Sequence, residues 1–331
     1  MKRVAVFGCG YWGKNLVRNF RDLGALKLVC DISPAGRELT SQIAPGVETS
    51  ENFDSAVRRQ DIDAVVLATP AVTHAPIAIE AMRHGKDVYV EKPMAMNVAE
   101  AKRMQSEAER LKRVLMVGHI LEYHPAVIKL KSMMKDGSLG AIHYIYSNRL
   151  NFGKIRIEEN ALWSFAPHDI AVILRLMGEQ PIEVTSIGGN YVTPNLADVT
   201  VSGLHFTSGR RAHIFVNWLN PFKEQKLIVV GEERMAVFND LEKEGKLKLY
   251  DQKVEFDKRN PILKKGEVEI VEIDDVEPLK AECLHFLDCL ETRSRPLTDG
   301  RNGIAVLKVL EACQESLQLN GRPVVMSERT Q

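Results

Sequence analysis

Six residues near the start of the chain, Gly8-Cys9-Gly10-Tyr11-Trp12-Gly13, limit the possible folds more than any other stretch. A G-x-G-x-x-G string alone is weak, and its setting makes it informative. It follows an apolar, β-branched run at residues 3–7 and opens a helical pattern, and Asp31 stands 18 residues beyond Gly13, closing the next apolar run. Strand, glycine turn, helix, strand and acid together describe a dinucleotide site. Gly8 permits the tight turn, Gly10 removes a side chain where backbone meets pyrophosphate, and Gly13 lets helix and strand pack closely. The helix N-terminus, with the backbone of Cys9, Tyr11 and Trp12, then offers N–H groups and a positive dipole end to phosphates. Asp31 is expected to accept from the adenine-side ribose hydroxyls and to repel a 2′-phosphate, which favours NAD over NADP. Arg37, in the following helix, would soften that preference. The competing reading keeps the glycines as a plain turn and Asp31 as a strand-end cap.

The alternation continues to about residue 120. Apolar runs recur at 64–69, 88–90 and 114–117, and Ala99, Ala101, Met104 and Ala108 mark a helix over 97–112. Ser33-Pro34 reads as an N-cap followed by proline at the first helical position. Short strands separated by helices imply a parallel sheet with right-handed crossovers. After His119 the pattern changes. Helices are expected at 125–135 and 163–177, a strand at 141–149, mostly strands over 182–273, and two closing helices near 279–290 and 303–319. At about 150 residues per domain, the length suggests two, 1–120 and 121–331, the second of α+β type with an antiparallel sheet.

Composition narrows the partners. Lys plus Arg and Asp plus Glu are 44 each, so no broad field attracts nucleic acid or anionic lipid. No apolar run approaches the roughly 20 residues of a bilayer span. The five cysteines form no C-x-x-C pair, and their odd number argues against a disulfide framework and for a reducing cytoplasm. The histidines lack metal-ligand spacing, so no metal is expected.

Chemistry concentrates at strand ends. Glu91-Lys92-Pro93 follows the strand ending near residue 90, where side chains of an open parallel sheet face the ligand crevice. Lys92 there would sit beside a nicotinamide and polarise a substrate oxygen; taken alone it reads first as a solvated lysine, and the strand-end position brings the two readings level. Thr69-Pro70 ends the preceding strand in the same way, with His74 opening the next helix. His119 and Tyr123 follow the last strand of the first domain, where cofactor or substrate contact competes with simple packing. His168, at the start of an apolar helix, is suited to accept a proton from a hydroxyl, or to a structural hydrogen bond. Lys154 and Arg156 would meet a diphosphate or carboxylate, and Trp163 a sugar face, with solvated and core roles as the alternatives.

These motifs resemble the glucose–fructose oxidoreductase, inositol dehydrogenase and MocA (Gfo/Idh/MocA) family. Glu91-Lys92-Pro93 looks like its signature tripeptide, and the segment from Glu282 to Gly321, with Phe286, Pro296, Asp299-Gly300 and Ser316, is similar to its C-terminal pattern. The resemblance spans essentially the whole chain. It implies an α/β protein with an N-terminal Rossmann domain and a C-terminal α+β domain whose large, mostly antiparallel open sheet forms a homodimer or homotetramer. It implies Lys92 and His168 as catalytic residues, and reversible hydride transfer between NAD and a secondary alcohol of a sugar, a nucleotide sugar or a cyclitol. Relatives with this fold that bind NAD without turnover leave a sensor role as the alternative. Many members carry an Asp four residues before the His, where Ser164 stands here, so Ser164 or another segment would complete the substrate site.

Overall fold

A computed structural model describes residues 2–153 and 155–326. Contacts divide the chain into two units: the chain up to Tyr123 with Val276–Leu307, and His124–Asp275 with the chain from Lys308 onward.

The first unit alternates β1 (Val4–Phe7), α1 (Gly13–Asp22), β2 (Leu26–Cys30), α2 (Pro34–Ile43), β3 (Glu48–Ser50), α3 (Phe53–Val57), β4 (Ala64–Leu67), α4 (His74–Arg83), β5 (Asp87–Glu91), α5 (Val98–Leu111) and β6 (Leu115–Gly118). The strands pair in parallel in the order β3-β2-β1-β4-β5-β6, the arrangement of a Rossmann sheet. Every residue of β1, β4, β5 and β6 is buried, as a sheet covered on both faces requires. Ser33 caps α2 by accepting from the Gly36 N–H, with Pro34 at the first turn. β4 stops at Leu67, two residues short of the apolar run, because Thr69 and Pro70 already turn away from the sheet.

A single boundary at 120 does not describe these contacts. Val276–Leu307, which holds α8 (Pro278–Thr292) and the start of α9 (Gly300–Gln318), belongs with the first unit. Phe286 of α8 lies edge-on to Phe20 of α1 and Tyr89 of β5, with centroids 6.4 and 5.7 Å apart. Leu279, Cys283, Cys289 and Leu290 are buried in the same cluster.

The second unit holds α6 (Pro125–Lys135), β7 (Ile142–Phe152), α7 (Ala161–Met177), β8 (Pro181–Gly189), β9 (Val199–Phe206), β10 (Arg211–Asn217), β11 (Leu219–Gly231), β12 (Met235–Asn239), β13 (Leu247–Asp257), β14 (Asn260–Val271) and β15 (Val324–Val325). They form one sheet ordered β14-β13-β12-β11-β7-β10-β9-β8-β15, antiparallel except for the parallel β7–β10 pair. Thr200, Ser202, Leu204 and Phe206 of β9 alternate inward, and α7 packs across β7, β9 and β10. The helix starts two residues before Trp163 because Asn160 accepts from the Trp163 N–H, and it ends on Gly178 in the left-handed region. No helix among the described residues is long and apolar enough to cross a membrane.

Phe286→Ala should cost about 3–5 kcal/mol, since it leaves a cavity between α8, α1 and β5. Val254→Ala on exposed β13 should cost less than about 0.5 kcal/mol. Urea unfolding of both variants checks the difference.

Candidate dinucleotide site and candidate catalytic residues

Two of the three turn glycines are imposed by the protein itself. Gly8 has φ +92°, and a Cβ there would lie 2.7 Å from the Ala68 carbonyl oxygen; a Cβ on Gly13 would lie 2.1 Å from the Gly8 carbonyl oxygen. A Cβ on Gly10 would meet nothing within 4 Å. Its missing side chain satisfies no neighbour in the chain, which fits a backbone kept bare for a diphosphate. Trp12, the N-cap of α1, provides no side-chain cap, and no acid stands in the first turn.

Asp31 reaches back over this turn. Its Oδ2 accepts from the Cys9 N–H at 2.7 Å and its Oδ1 from the Ser33 N–H at 2.8 Å. A Cβ on Gly36 would lie 2.4 Å from the carboxylate, so that glycine makes its room. Arg37 donates to the carbonyls of Asp31 and Ile32 at 2.8 and 3.1 Å and pairs with Glu51 at 3.1 Å. A cavity of about 520 Å³ lined by Ile32, Glu51, Asn52, Phe53 and Asp54 opens beside this strand end. Cys9 is buried, and burial pushes its thiol pKa up; all five cysteines are free and buried. Tyr11 is exposed, with the Lys14 ammonium 5.7 Å above its ring.

The ends of β4 and β5 are tied together by His74. Its Nδ1 lies 2.9 Å from the Pro93 carbonyl oxygen and its Nε2 2.9 Å from that of Thr69. Both ring nitrogens of this expected cofactor residue are thus taken by backbone, and burial lowers its pKa against the two carbonyls. Thr69 and Pro70 accept from the Thr73 hydroxyl through a side-chain and a backbone oxygen, each at 2.7 Å. The Lys92–Pro93 peptide is cis.

Glu91 is buried, and burial pushes its carboxyl pKa up. Its Oε1 accepts from the Trp12 indole at 2.7 Å and the Tyr89 hydroxyl at 3.3 Å, and its Oε2 from the Lys92 N–H at 3.2 Å. The His119 Nδ1 lies 2.6 Å from the Asn302 Oδ1, and the Asn302 Nδ2 donates to Glu122 at 2.8 Å. A carboxylate only accepts, so the amide nitrogen faces Glu122, its oxygen faces His119, and Nδ1 carries the imidazole hydrogen. Burial lowers the His119 pKa to about 4, an effect the Asn302 bond opposes and the nearby Lys92 charge reinforces. Tyr123, expected to meet substrate, is a core residue instead, its hydroxyl 3.2 Å from Thr298 Oγ1.

In the second unit, His168 is half-buried on α7, just after Pro167. Its neighbour Asp169 turns into the sheet, where it accepts from Ser147 Oγ at 2.5 Å and Arg149 Nε at 2.8 Å. Ser164 is buried one turn before His168, on the same helix face. The Trp163 indole donates to Gln314 at 3.2 Å, and Arg156 pairs with Glu159 at 3.2 Å. Lys154 lies outside the described residues. The sequence patterns missed Asn302, Glu122 and Arg149. Asn302 follows Asp299-Gly300, the one local hint that this segment reaches the sheet end.

Residues 2–119 match the Gfo/Idh/MocA oxidoreductase model, an NAD-binding Rossmann fold, and residues 127–237 match the Gfo/Idh/MocA C-terminal domain. The chain belongs to the Gfo/Idh/MocA oxidoreductases. Among relatives of this Gfo/Idh/MocA protein, 2,7-anhydro-N-acetylneuraminate hydratase of Mediterraneibacter gnavus is 30% identical over 202 residues, 57% of this chain and 54% of that protein, about half its length. Inositol 2-dehydrogenase of Burkholderia multivorans is 26% identical across 99% of this chain and 97% of its own. UDP-N-acetylglucosamine 3-dehydrogenase of Acidithiobacillus ferrooxidans is 24% identical over 92% and 94%. A solved structure of the last shares the fold, with TM-score 0.83 at 23% identity over 96% of this chain and 98% of that one.

Two expectations follow. Gly10→Ala should melt like the parent yet bind NADH at least about tenfold more weakly, whereas Gly13→Ala should lose stability; thermal melts and fluorescence titration separate them. The second concerns His119, whose folded pKa of about 4 lies below the ordinary 6.5. The unfolded chain therefore takes the proton first, and stability falls as pH drops from 6.5 to 4. His119→Gln should reduce the loss between pH 7 and 4.5 by about 2 kcal/mol in urea unfolding.

Proposed function

We propose that this chain is an NAD-dependent oxidoreductase that interconverts a secondary alcohol and a ketone on a sugar, with nucleotide sugars as the preferred class. The observation that carries the reading is the hydrogen bond from Trp12 of the glycine turn to Glu91, the residue before Lys92. It joins the dinucleotide turn to the strand end that bears the lysine. The dehydrogenase names of full-length relatives, one of them acting on UDP-N-acetylglucosamine, support the substrate class.

Preference for NAD rests on charge. A 2′-phosphate would meet Asp31, Glu51 and Asp54 while Arg37 is held by two carbonyls and Glu51. A bound nicotinamide supplies the two-electron acceptor for the carbinol carbon. The Lys92 ammonium donates to the reacting oxygen and stabilises the charge that develops there. The His168 imidazole takes the hydroxyl proton in oxidation and returns it in reduction. Trp163, Ser164, Lys154 and Arg156 are assigned to the sugar and its diphosphate, and Thr69, Pro70 and His74 to shaping the cofactor side. Exposed Ile187 and Val201, paired in register on adjacent strands, support a homo-oligomer through the sheet. Five buried free thiols suit a reducing cytoplasm.

Purified protein with NAD and a panel of UDP-sugars, free sugars and inositols, followed at the absorbance of reduced cofactor, tests the proposal. Lys92→Met should lower turnover at least about 100-fold while NAD affinity stays within about threefold. Unchanged turnover would reject the role of Lys92. The relative named as a hydratase favours a second outcome, substrate consumed with no net change in cofactor absorbance. NAD binding with no substrate consumed would instead indicate a sensor.

A further inference from the structure

Trp12 is 37% exposed and lies at the mouth of the glycine turn, where water would satisfy its indole N–H. Instead that N–H reaches 79 positions along the chain to Glu91. The acceptor is the buried Glu91 carboxyl, whose pKa burial pushes up while the Trp12 indole and the Lys92 charge and N–H pull it down. Its other oxygen accepts the backbone N–H of Lys92 at 3.2 Å. A Cβ on Gly118 of the neighbouring strand would lie 2.9 Å from Glu91 Oε1, so the carboxylate is packed tightly on that side. Its placement then follows Trp12 and the more distant Tyr89 hydroxyl on one oxygen and the Lys92 N–H on the other.

We propose that Trp12 is a positioning residue that couples occupancy of the glycine turn to the placement of Lys92 through the Glu91 carboxylate. The backbone of residues 10–13 receives the diphosphate. Anion binding there fixes the turn, and with it the indole that projects from it. A fixed indole fixes the carboxylate, and the carboxylate orients the peptide from which the Lys92 side chain leaves. The rate consequence rests on the role of Lys92 proposed above, and the coupling itself does not.

ADP-ribose is the probe, since it fills the turn but carries no nicotinamide to shield the amine. Acetic anhydride labelling of Lys92, quantified by mass spectrometry, should change about fivefold when the parent protein is saturated with ADP-ribose. Trp12→Phe keeps the ring and loses the N–H. It should bind ADP-ribose within about threefold of the parent and show no labelling response. Glu91→Gln, which places an amide N–H against the Lys92 N–H, should behave the same way. With a turned-over sugar, Trp12→Phe should lower kcat about tenfold and leave KM for NAD nearly unchanged. An unresponsive Lys92 in the parent, the same response in Trp12→Phe, or an effect confined to ADP-ribose affinity overturns the coupling. A Trp12-dependent response in a protein that turns over no sugar upholds the coupling and rejects the dehydrogenase reading instead.

Discussion

No side chain fits between Gly8 and the carbonyl of Ala68, and none fits between Gly13 and the carbonyl of Gly8. This double close approach draws the start of α1 down onto the ends of β1 and β4. Strand β1 then lies between β2 and β4, the point at which the order of an open parallel sheet reverses and a crevice forms. The same approach sets Trp12 within hydrogen-bond reach of β5, and it brings Cys9 N–H onto the Asp31 carboxylate. The turn is therefore closely packed at Gly8 and Gly13 and bare at Gly10.

Around this crevice the protein buries more ionisable groups than a core needs for packing. Glu91, Glu282, His74 and His119 are all buried in the first unit. They do not all carry charge. Burial pushes the Glu282 carboxyl pKa well up, and the charge of Glu91 adds to the shift. His119 is held neutral by burial. Glu91 is the member whose pKa is pulled back down by donors, the Trp12 indole and the Lys92 N–H, and by the Lys92 charge. The Glu91 carboxyl thus links the glycine turn to the strand end that bears Lys92.

The sequence carried the local part of this arrangement. The strand–helix alternation, the glycine turn and the cap at Ser33 are properties of short windows, and the fold realises them. Pairings across long separations left no such trace. The apolar face of α8 shows that the helix packs, but nothing in its periodicity names Phe20 and Tyr89 as partners rather than the second sheet. Asn302 is 183 positions from His119, and Arg149 is 20 from Asp169, so neither pairing has a period or a spacing to read. Tyr123 misled for a related reason. Aromatic residues after a strand end suit a ligand or a core equally, and the choice here turns on distant Thr298.

The same long-range logic bears on Ser164. A buried carboxylate needs a cation, and for Asp169 of α7 the cation is Arg149 of β7, whose guanidinium makes two bonds to it, at 2.8 and 3.2 Å. Neighbouring residues on a helix point about 100° apart, so anchoring Asp169 to β7 fixes the direction in which His168 leaves the helix. An Asp at 164 would bury a second negative charge on the His168 face, while Arg149 is already engaged by Asp169. Serine keeps a hydroxyl at that position without this demand. The departure from the family pattern is thus compatible with the rest of α7: the helix retains its ion-paired anchor on one side and presents an uncharged partner beside the imidazole on the other.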